Sequence, residues 1–304
     1  MKTALHILFG ISLLTVVFSL LLVMVNTHPP RYALQSTPSE LHADYEDVSF
    51  VTDDSLTLRG WLIKPPVRER VLPGIIVCHG QGANRSDFTD LAVELSRRGY
   101  YVLTFDFRAH GESGGMRSSL GYHEQKDIRA ALRYLRSRPE VDGARIGIFG
   151  FSLGGAAAIL TAAGTGQFAA VVADSAFASL RDQARQAITT FYHLPSIPFL
   201  SLSVLGYEVY FQTNVRNIDP AAVIGKVSPT PVLLIAGEGD DLIPAENGRR
   251  LFAAAREPKE LWLITVSGHG GTVSAAGARY GMRIGAFFDT YLKAPVPAAR
   301  GFSL

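Results

Sequence analysis

Gly150-Phe151-Ser152-Leu153-Gly154 constrains this chain more than any other stretch. It joins a compact apolar run, Arg145-Ile146-Gly147-Ile148-Phe149, to an Ala-rich, helix-like run that begins at Gly155. A G-x-S-x-G pattern in that setting reads as a sharp strand-to-helix elbow, which presents the serine hydroxyl and needs flanking glycines so that neighbouring backbone can come close. Ser152 is the candidate nucleophile.

A serine hydroxyl needs a base to take its proton and an acid to orient that base. Downstream, Pro231-Val232-Leu233-Leu234-Ile235-Ala236 reads as a buried strand, and an acidic loop follows it, Gly237-Glu238-Gly239-Asp240-Asp241-Leu242-Ile243-Pro244. Leu261-Trp262-Leu263-Ile264-Thr265-Val266 reads as a further strand, and Ser267-Gly268-His269-Gly270-Gly271 is a loop able to carry an imidazole to the serine. His269 is the candidate base.

The rest of the chain agrees with one globular α/β domain. Asp47-Val48-Ser49-Phe50-Val51 and 56–63 alternate as an antiparallel edge hairpin would, turning around Asp53-Asp54. Apolar runs at 74–77, 101–105, 146–149 and 170–173 then alternate with helix-like segments, which implies a mostly parallel central sheet with helices on both faces. The rhythm breaks between Asp174 and Val232, far beyond usual strand-to-strand connections. That insertion, about 177–228, is expected to form a small helical cap, and its Phe191-Tyr192-His193-Leu194-Pro195-Ser196-Ile197-Pro198-Phe199-Leu200 segment would suit an acyl chain or aromatic group or simply pack on the domain.

These residues resemble the α/β-hydrolase superfamily over about 48–292, and within it single-domain esterases of the serine aminopeptidase or BEM46-like type. Val77-Cys78-His79-Gly80-Gln81-Gly82-Ala83-Asn84 is similar to the family's oxyanion-loop pattern. Thr104-Phe105-Asp106-Phe107-Arg108-Ala109-His110-Gly111-Glu112-Ser113 is similar to its D-x-R-G-H-G-x-S turn, with Ala109 where a glycine is usual. The resemblance implies the α/β-hydrolase fold and puts the acid at Asp240, with Asp241 as its neighbour and Asp174 at a strand end used by some relatives. It also implies an oxyanion hole made of two backbone N–H groups, those of Gln81 and Leu153. His79 and His110 would be structural, holding their turns through hydrogen bonds.

The expected chemistry is cleavage of carboxylic esters through an acyl-enzyme at Ser152, His269 and Asp240. Thioesters, amides and acyl transfer are alternatives open to the same triad, and an inactive membrane-tethered interaction scaffold is the alternative of another class. No cofactor is needed, and the absence of H-E-x-x-H or a Cys/His cluster speaks against a catalytic metal. A formal charge of +2 and no basic stripe with interleaved aromatics argue against nucleic acid. The single cysteine, Cys78, leaves no intramolecular disulfide and reads as a small buried residue. Arg181, Arg185 and Gln186 read as a solvated helix face.

At the N-terminus, Ile7 to Val25 is charge-free and long enough to cross a bilayer, and Val23-Met24-Val25-Asn26-Thr27-His28 offers no A-x-A-like cleavage site. The expected organisation is a transmembrane anchor at 1–26, a polar linker at 27–44, a hydrolase domain at 45–294 and a C-terminal tail at 295–304. Lys2 and the amino terminus before the span, against Arg31 after it, vote for a cytoplasmic N-terminus and a catalytic domain on the other side.

Overall fold

The computed structural model describes residues 1–67, 71–265 and 268–293. The expected tail at 295–304 lies outside the described residues, as do Val266 and Ser267.

One eight-stranded sheet organises the domain, in the order β1-β2-β4-β3-β5-β6-β7-β8. Its strands are β1 (Tyr45–Val51), β2 (Thr57–Ile63), β3 (Leu72–Cys78), β4 (Tyr101–Phe105), β5 (Val141–Phe151), β6 (Ala170–Asp174), β7 (Val232–Gly237) and β8 (Lys259–Ile264). The first pair is the expected hairpin, with Val48 opposite Gly60, and β2 also runs antiparallel to β4; the remaining neighbours are parallel.

Period-two alternation divides the sheet's side chains between two cores. Ile76 and Cys78 of β3, Val171 and Ala173 of β6, and Val232 and Leu234 of β7 enter one core. Ile75, Val77, Val172, Leu233 and Ile235 enter the other. The first is covered by α3 (Glu124–Arg136), α4 (Leu153–Thr165) and α8 (Glu246–Ala254), and the second by α2 (Thr89–Arg97) and α10 (Ala278–Leu292). The strands are apolar on both sides because both faces are covered. Burying each large aliphatic or aromatic side chain is worth about 1.5–3 kcal/mol, so the two cores dominate the fold's stability.

Three elements complete the architecture around the C-terminal edge of the parallel strands. The insertion between β6 and β7 carries α5 (Leu180–Gln186), α6 (Ser196–Phe211) and α7 (Pro220–Val223). A short α9 (Gly271–Ala276) follows β8, and the apolar α1 (Lys2–Thr27) precedes the sheet.

Most of α1 is exposed, as at Leu8, Phe9 and Leu14, but its last turns bury Ser19, Leu22, Val23 and Thr27. Residues 28–44 are then bonded to the domain at several points. The Arg31 guanidinium donates to the carbonyls of His110, Gly111, Ser113 and Gly115, Gln35 N–H donates to Ser86 Oγ, and Asn84 Nδ2 donates to the carbonyls of Tyr32 and Ala33.

Candidate active site

Ser152 stands where β5 ends and α4 begins, with φ 55° and ψ −115°, a left-handed conformation that a non-glycine residue adopts only under constraint. The constraint comes from close packing on either side. A Cβ at Gly150 would sit 2.3 Å from Gly154 O, and one at Gly154 would sit 2.5 Å from Cys78 O. Without side chains at these two positions, α4 folds back directly onto the strand ends, and the hydroxyl of Ser152 faces His269 at the C-terminal end of β5.

His269 reaches Ser152 from the loop after β8, between Gly268 and Gly270, both at positive φ. Its Nε2 lies 3.0 Å from Ser152 Oγ and its Nδ1 lies 2.7 Å from Asp240 Oδ2. With Nδ1–H donating to the carboxylate, Nε2 carries the lone pair that faces the serine hydroxyl. Phe151 lies against the imidazole, with ring centroids 5.0 Å apart.

Asp240 comes from the loop after β7, and its side chain is 1% exposed. Its second oxygen accepts the backbone N–H groups of Leu242 and Ile243, so the carboxylate is held in place. Gly268 N–H donates to Gly239 O at 2.9 Å, which ties the histidine loop to the acid loop. The neighbouring Asp241 is exposed. Asp174 is fully buried and otherwise engaged: Ser175, Thr272 and Tyr280 hydroxyls donate to it, and its carbonyl accepts Ser152 N–H. Burial pushes the Asp174 carboxyl up, against the pull of those three donors.

The loop after β3 comes up beside the serine, since a Cβ at Gly80 would lie 3.4 Å from Ser152 Cβ. Two buried histidines fix this loop to the turn after β4. His79 Nε2 accepts Phe107 N–H while its Nδ1 faces Gly80 O, and His110 Nε2 accepts Gly82 N–H while its Nδ1 faces Arg108 O. Burial pushes both imidazoles below their usual range, consistent with neutral rings that accept at Nε2. Ala109, between these contacts, takes φ 63°, the left-handed conformation that a glycine would hold without strain.

A cavity of about 210 Å³ opens beside Ser152 and is also lined by Gln81 and Leu153. Leu153 is the first residue of α4, where backbone N–H groups have no partner within the helix. Opposite stand Leu180, Ile188 and Tyr207 from the insertion, and none of the lining residues is charged. Among the described residues no group of three or more His, Cys, Asp or Glu could hold a metal ion. Cys78 is buried and its thiol is pushed well above its usual range, chiefly by burial. Arg181 and Arg185 are exposed.

Four further residues on the cavity wall are not nominated by the sequence: Leu22, Val23, Asn26 and Thr27, all from α1. Gln81 is tied to the same helix. Its side-chain Nε2 donates to Asn26 O at 2.9 Å, its Oε1 accepts from Ser118 Oγ at 3.0 Å, and Ser118 N–H donates to Thr27 O at 2.8 Å. The only local signal for this in the sequence is the polar pair Asn26-Thr27 at the end of an apolar run.

Residues 87–295 match the prolyl oligopeptidase family. The chain is 36% identical over 223 residues to the uncharacterized protein Rv2307c of Mycobacterium tuberculosis, covering 73% of this chain and 72% of that one. It is 33% identical over 241 residues to the uncharacterized protein YfhR of Escherichia coli K12, covering 78% and 76%. Among solved structures, Pyrococcus furiosus esterase Pf2001 superposes with a TM-score of 0.72 at 28% identity, covering 88% of this chain and 99% of that one. With its eight-stranded sheet, its serine at the β5–α4 elbow and a family match over most of its length, the chain belongs to the prolyl oligopeptidase family of α/β hydrolases.

Proposed function

We propose that this hydrolase is a serine esterase that cleaves carboxylic esters through an acyl-enzyme. The observation that carries the proposal is the hydrogen-bonded chain from Ser152 Oγ through His269 to Asp240, set at the mouth of an uncharged cavity. The likeness to the Pyrococcus furiosus esterase Pf2001 supports the same chemistry.

In the first step His269 Nε2 takes the Ser152 proton as Oγ attacks the ester carbonyl. Asp240 holds the Nδ1–H tautomer and stabilises the imidazolium that forms. The backbone N–H groups of Leu153 and Gln81 receive the oxyanion, a role for preorganised donors worth about 3–4 kcal/mol each in transition-state stabilisation. Collapse breaks the C–O bond, and His269 returns its proton to the departing alcohol. Water then repeats the sequence, with its proton passing to His269 and back to Ser152, and the carboxylic acid leaves.

The absence of a charged side chain from the cavity's lining, and the predominance of apolar ones, favour an acyl group over a charged peptide terminus. A thioester, or an alcohol acceptor in place of water, would use the same steps.

We further propose that α1 is retained as a single-pass anchor. It is 26 residues long with a mean hydropathy of 2.7 in its most apolar window, and the burial of Ser19, Leu22, Val23 and Thr27 in the domain favours retention over removal as a signal peptide. Arg31 is engaged with four backbone carbonyls. Lys2 and the amino terminus before the span, against Arg31 alone in the residues just after it, would orient the span with the domain on the non-cytoplasmic side.

The test is turnover of p-nitrophenyl esters by the full chain beside Ser152→Ala. Activity and fluorophosphonate labelling in the native chain, both lost in the variant, are the expected result. Folded protein with neither would favour an inactive scaffold.

A further inference from the structure

We propose that the last two turns of α1 form a wall of the substrate pocket and set its acyl-chain preference, for esters carrying a medium or long hydrocarbon chain. This rests on the serine-esterase reading and names the substrate class and a specificity element of the same site.

The helix is built into the domain by contacts that an idle anchor has no use for. A Cβ at Gly206 of α6 would stand 2.6 Å from Leu20 Cδ2, so the missing side chain lets the two helices close on one another. Ser203 Oγ donates to Ser19 O at 3.3 Å, Phe18 meets Phe199 edge-on at 6.0 Å, and Asn26 Nδ2 donates to Tyr192 OH at 3.2 Å. Ser19 and Thr27 are fully buried, with their hydroxyls satisfied by carbonyls one turn earlier in the same helix, at Thr15 and Val23.

What this packing encloses is the cavity beside Ser152. Leu22 and Val23 supply apolar surface on one side, facing Leu180, Ile188 and Val204 on the other. Val23 also lines a second apolar groove along the outside of the same α1–α6 seam, with Val16, Leu20, Met24, Leu205 and Val209. Leu205 is 57% and Val209 70% exposed, so the groove continues the apolar surface of the exposed part of α1. A hydrocarbon chain lying in that groove meets Val23 as the side chain between it and the pocket. A short, polar ester would gain nothing from either surface.

The test uses the full chain in detergent micelles, with kcat/KM measured for p-nitrophenyl acetate and p-nitrophenyl decanoate. Val23→Phe, which adds bulk to the wall, is expected to lower the decanoate-to-acetate ratio by at least about tenfold, the scale on which apolar pockets discriminate chain length. Val23→Ala, which removes bulk and is tolerated more readily by packing, is expected to move the preference toward longer chains, raising the hexadecanoate-to-decanoate ratio several-fold. Leu13→Phe, on the exposed part of α1, leaves both ratios where they are. An active enzyme whose ratios are unmoved by both Val23 variants, or moved equally by Leu13→Phe, overturns the inference and leaves the esterase reading standing. A native chain that turns over neither ester and takes no fluorophosphonate overturns the esterase reading, and this inference with it.

Discussion

The side-chain amide of Gln81 donates to the backbone carbonyl of Asn26 at 2.9 Å, and so joins the loop after β3 to the last turn of α1 across 55 positions of sequence. Gln81 also accepts from Ser118, whose own N–H is bonded to Thr27 O. In the proposed mechanism the backbone N–H of Gln81 is an oxyanion donor, so these side-chain bonds hold a catalytic amide by its own residue. Gln81→Ala keeps the amide and removes the bonds. It is expected to lower kcat about tenfold, or about 1.4 kcal/mol of transition-state stabilisation, with KM moving less than kcat. Steady-state kinetics on a short-chain ester check it, and an unchanged kcat would show the bonds to be idle.

Three carboxylates near the serine separate cleanly by substitution. Asp240→Asn removes the acceptor that fixes the His269 tautomer, and is expected to cost about 10³–10⁴-fold in kcat. Asp241→Asn, at an exposed position, is expected to change kcat less than twofold. Asp174→Asn leaves Thr272 and Tyr280 hydroxyls with a poorer partner in a buried site, and is expected to lower stability by about 1–3 kcal/mol. Kinetics and urea melts on the three variants check the assignment.

Acid sensitivity is expected to run partly through Glu124. Burial pushes its carboxyl up, but Arg108 and hydrogen bonds from Ser119 and Gly121 outweigh burial and hold it below its ordinary value of 4.5. A carboxyl whose folded pKa lies below its unfolded one contributes stability that is present above the unfolded value and is lost as pH falls through the folded one. Unfolding free energy should therefore drop as pH falls below about 4.5, and Glu124→Gln should be less stable at neutral pH but show a shallower drop in that acid window. Urea melts at matched pH values measure the difference.

Ala109→Gly should stabilise the protein. Ala109 is buried at φ 63°, where a Cβ crowds the following carbonyl at a cost of about 1–2 kcal/mol. Glycine avoids that cost but gives the unfolded chain more freedom, which returns about 0.4–1 kcal/mol. A net gain of about 0.5–1 kcal/mol in thermal or urea unfolding is the expected outcome. A loss would mean that the Ala109 methyl contributes more by packing than its conformation costs.

The sheet is legible in the sequence because each parallel strand is a short apolar run closed by a polar or glycine-rich loop. The runs around Val77, Leu103, Ile148, Val172, Leu234 and Leu263 all lie in the strands observed. Ser152, Asp240 and His269 are legible for a related reason: each lies just beyond the end of such a run, and strand ends on one edge of a parallel sheet converge in space. The packing of α1 is not legible. A charge-free run of this length looks the same whether its partner is lipid or a neighbouring helix, and its apolar character leaves no periodicity to mark the face that Gly206 and Ser203 meet. The bonds made by residues 28–44 are hidden for the opposite reason. They run through the Arg31 guanidinium and single backbone groups, which carry no pattern along the chain.

The grip of Arg31 on four carbonyls of the turn after β4 bears on how the domain could ever be shed from α1. A trypsin-like sheddase cutting after Arg31 must first draw the guanidinium into its own specificity pocket. That means giving up four hydrogen bonds from a charged donor, two of them part-buried and two exposed to solvent. If α1 is the anchor proposed above, the juncture is thus a bonded part of the domain rather than a free tether, and a cut there would be expected to need local opening first.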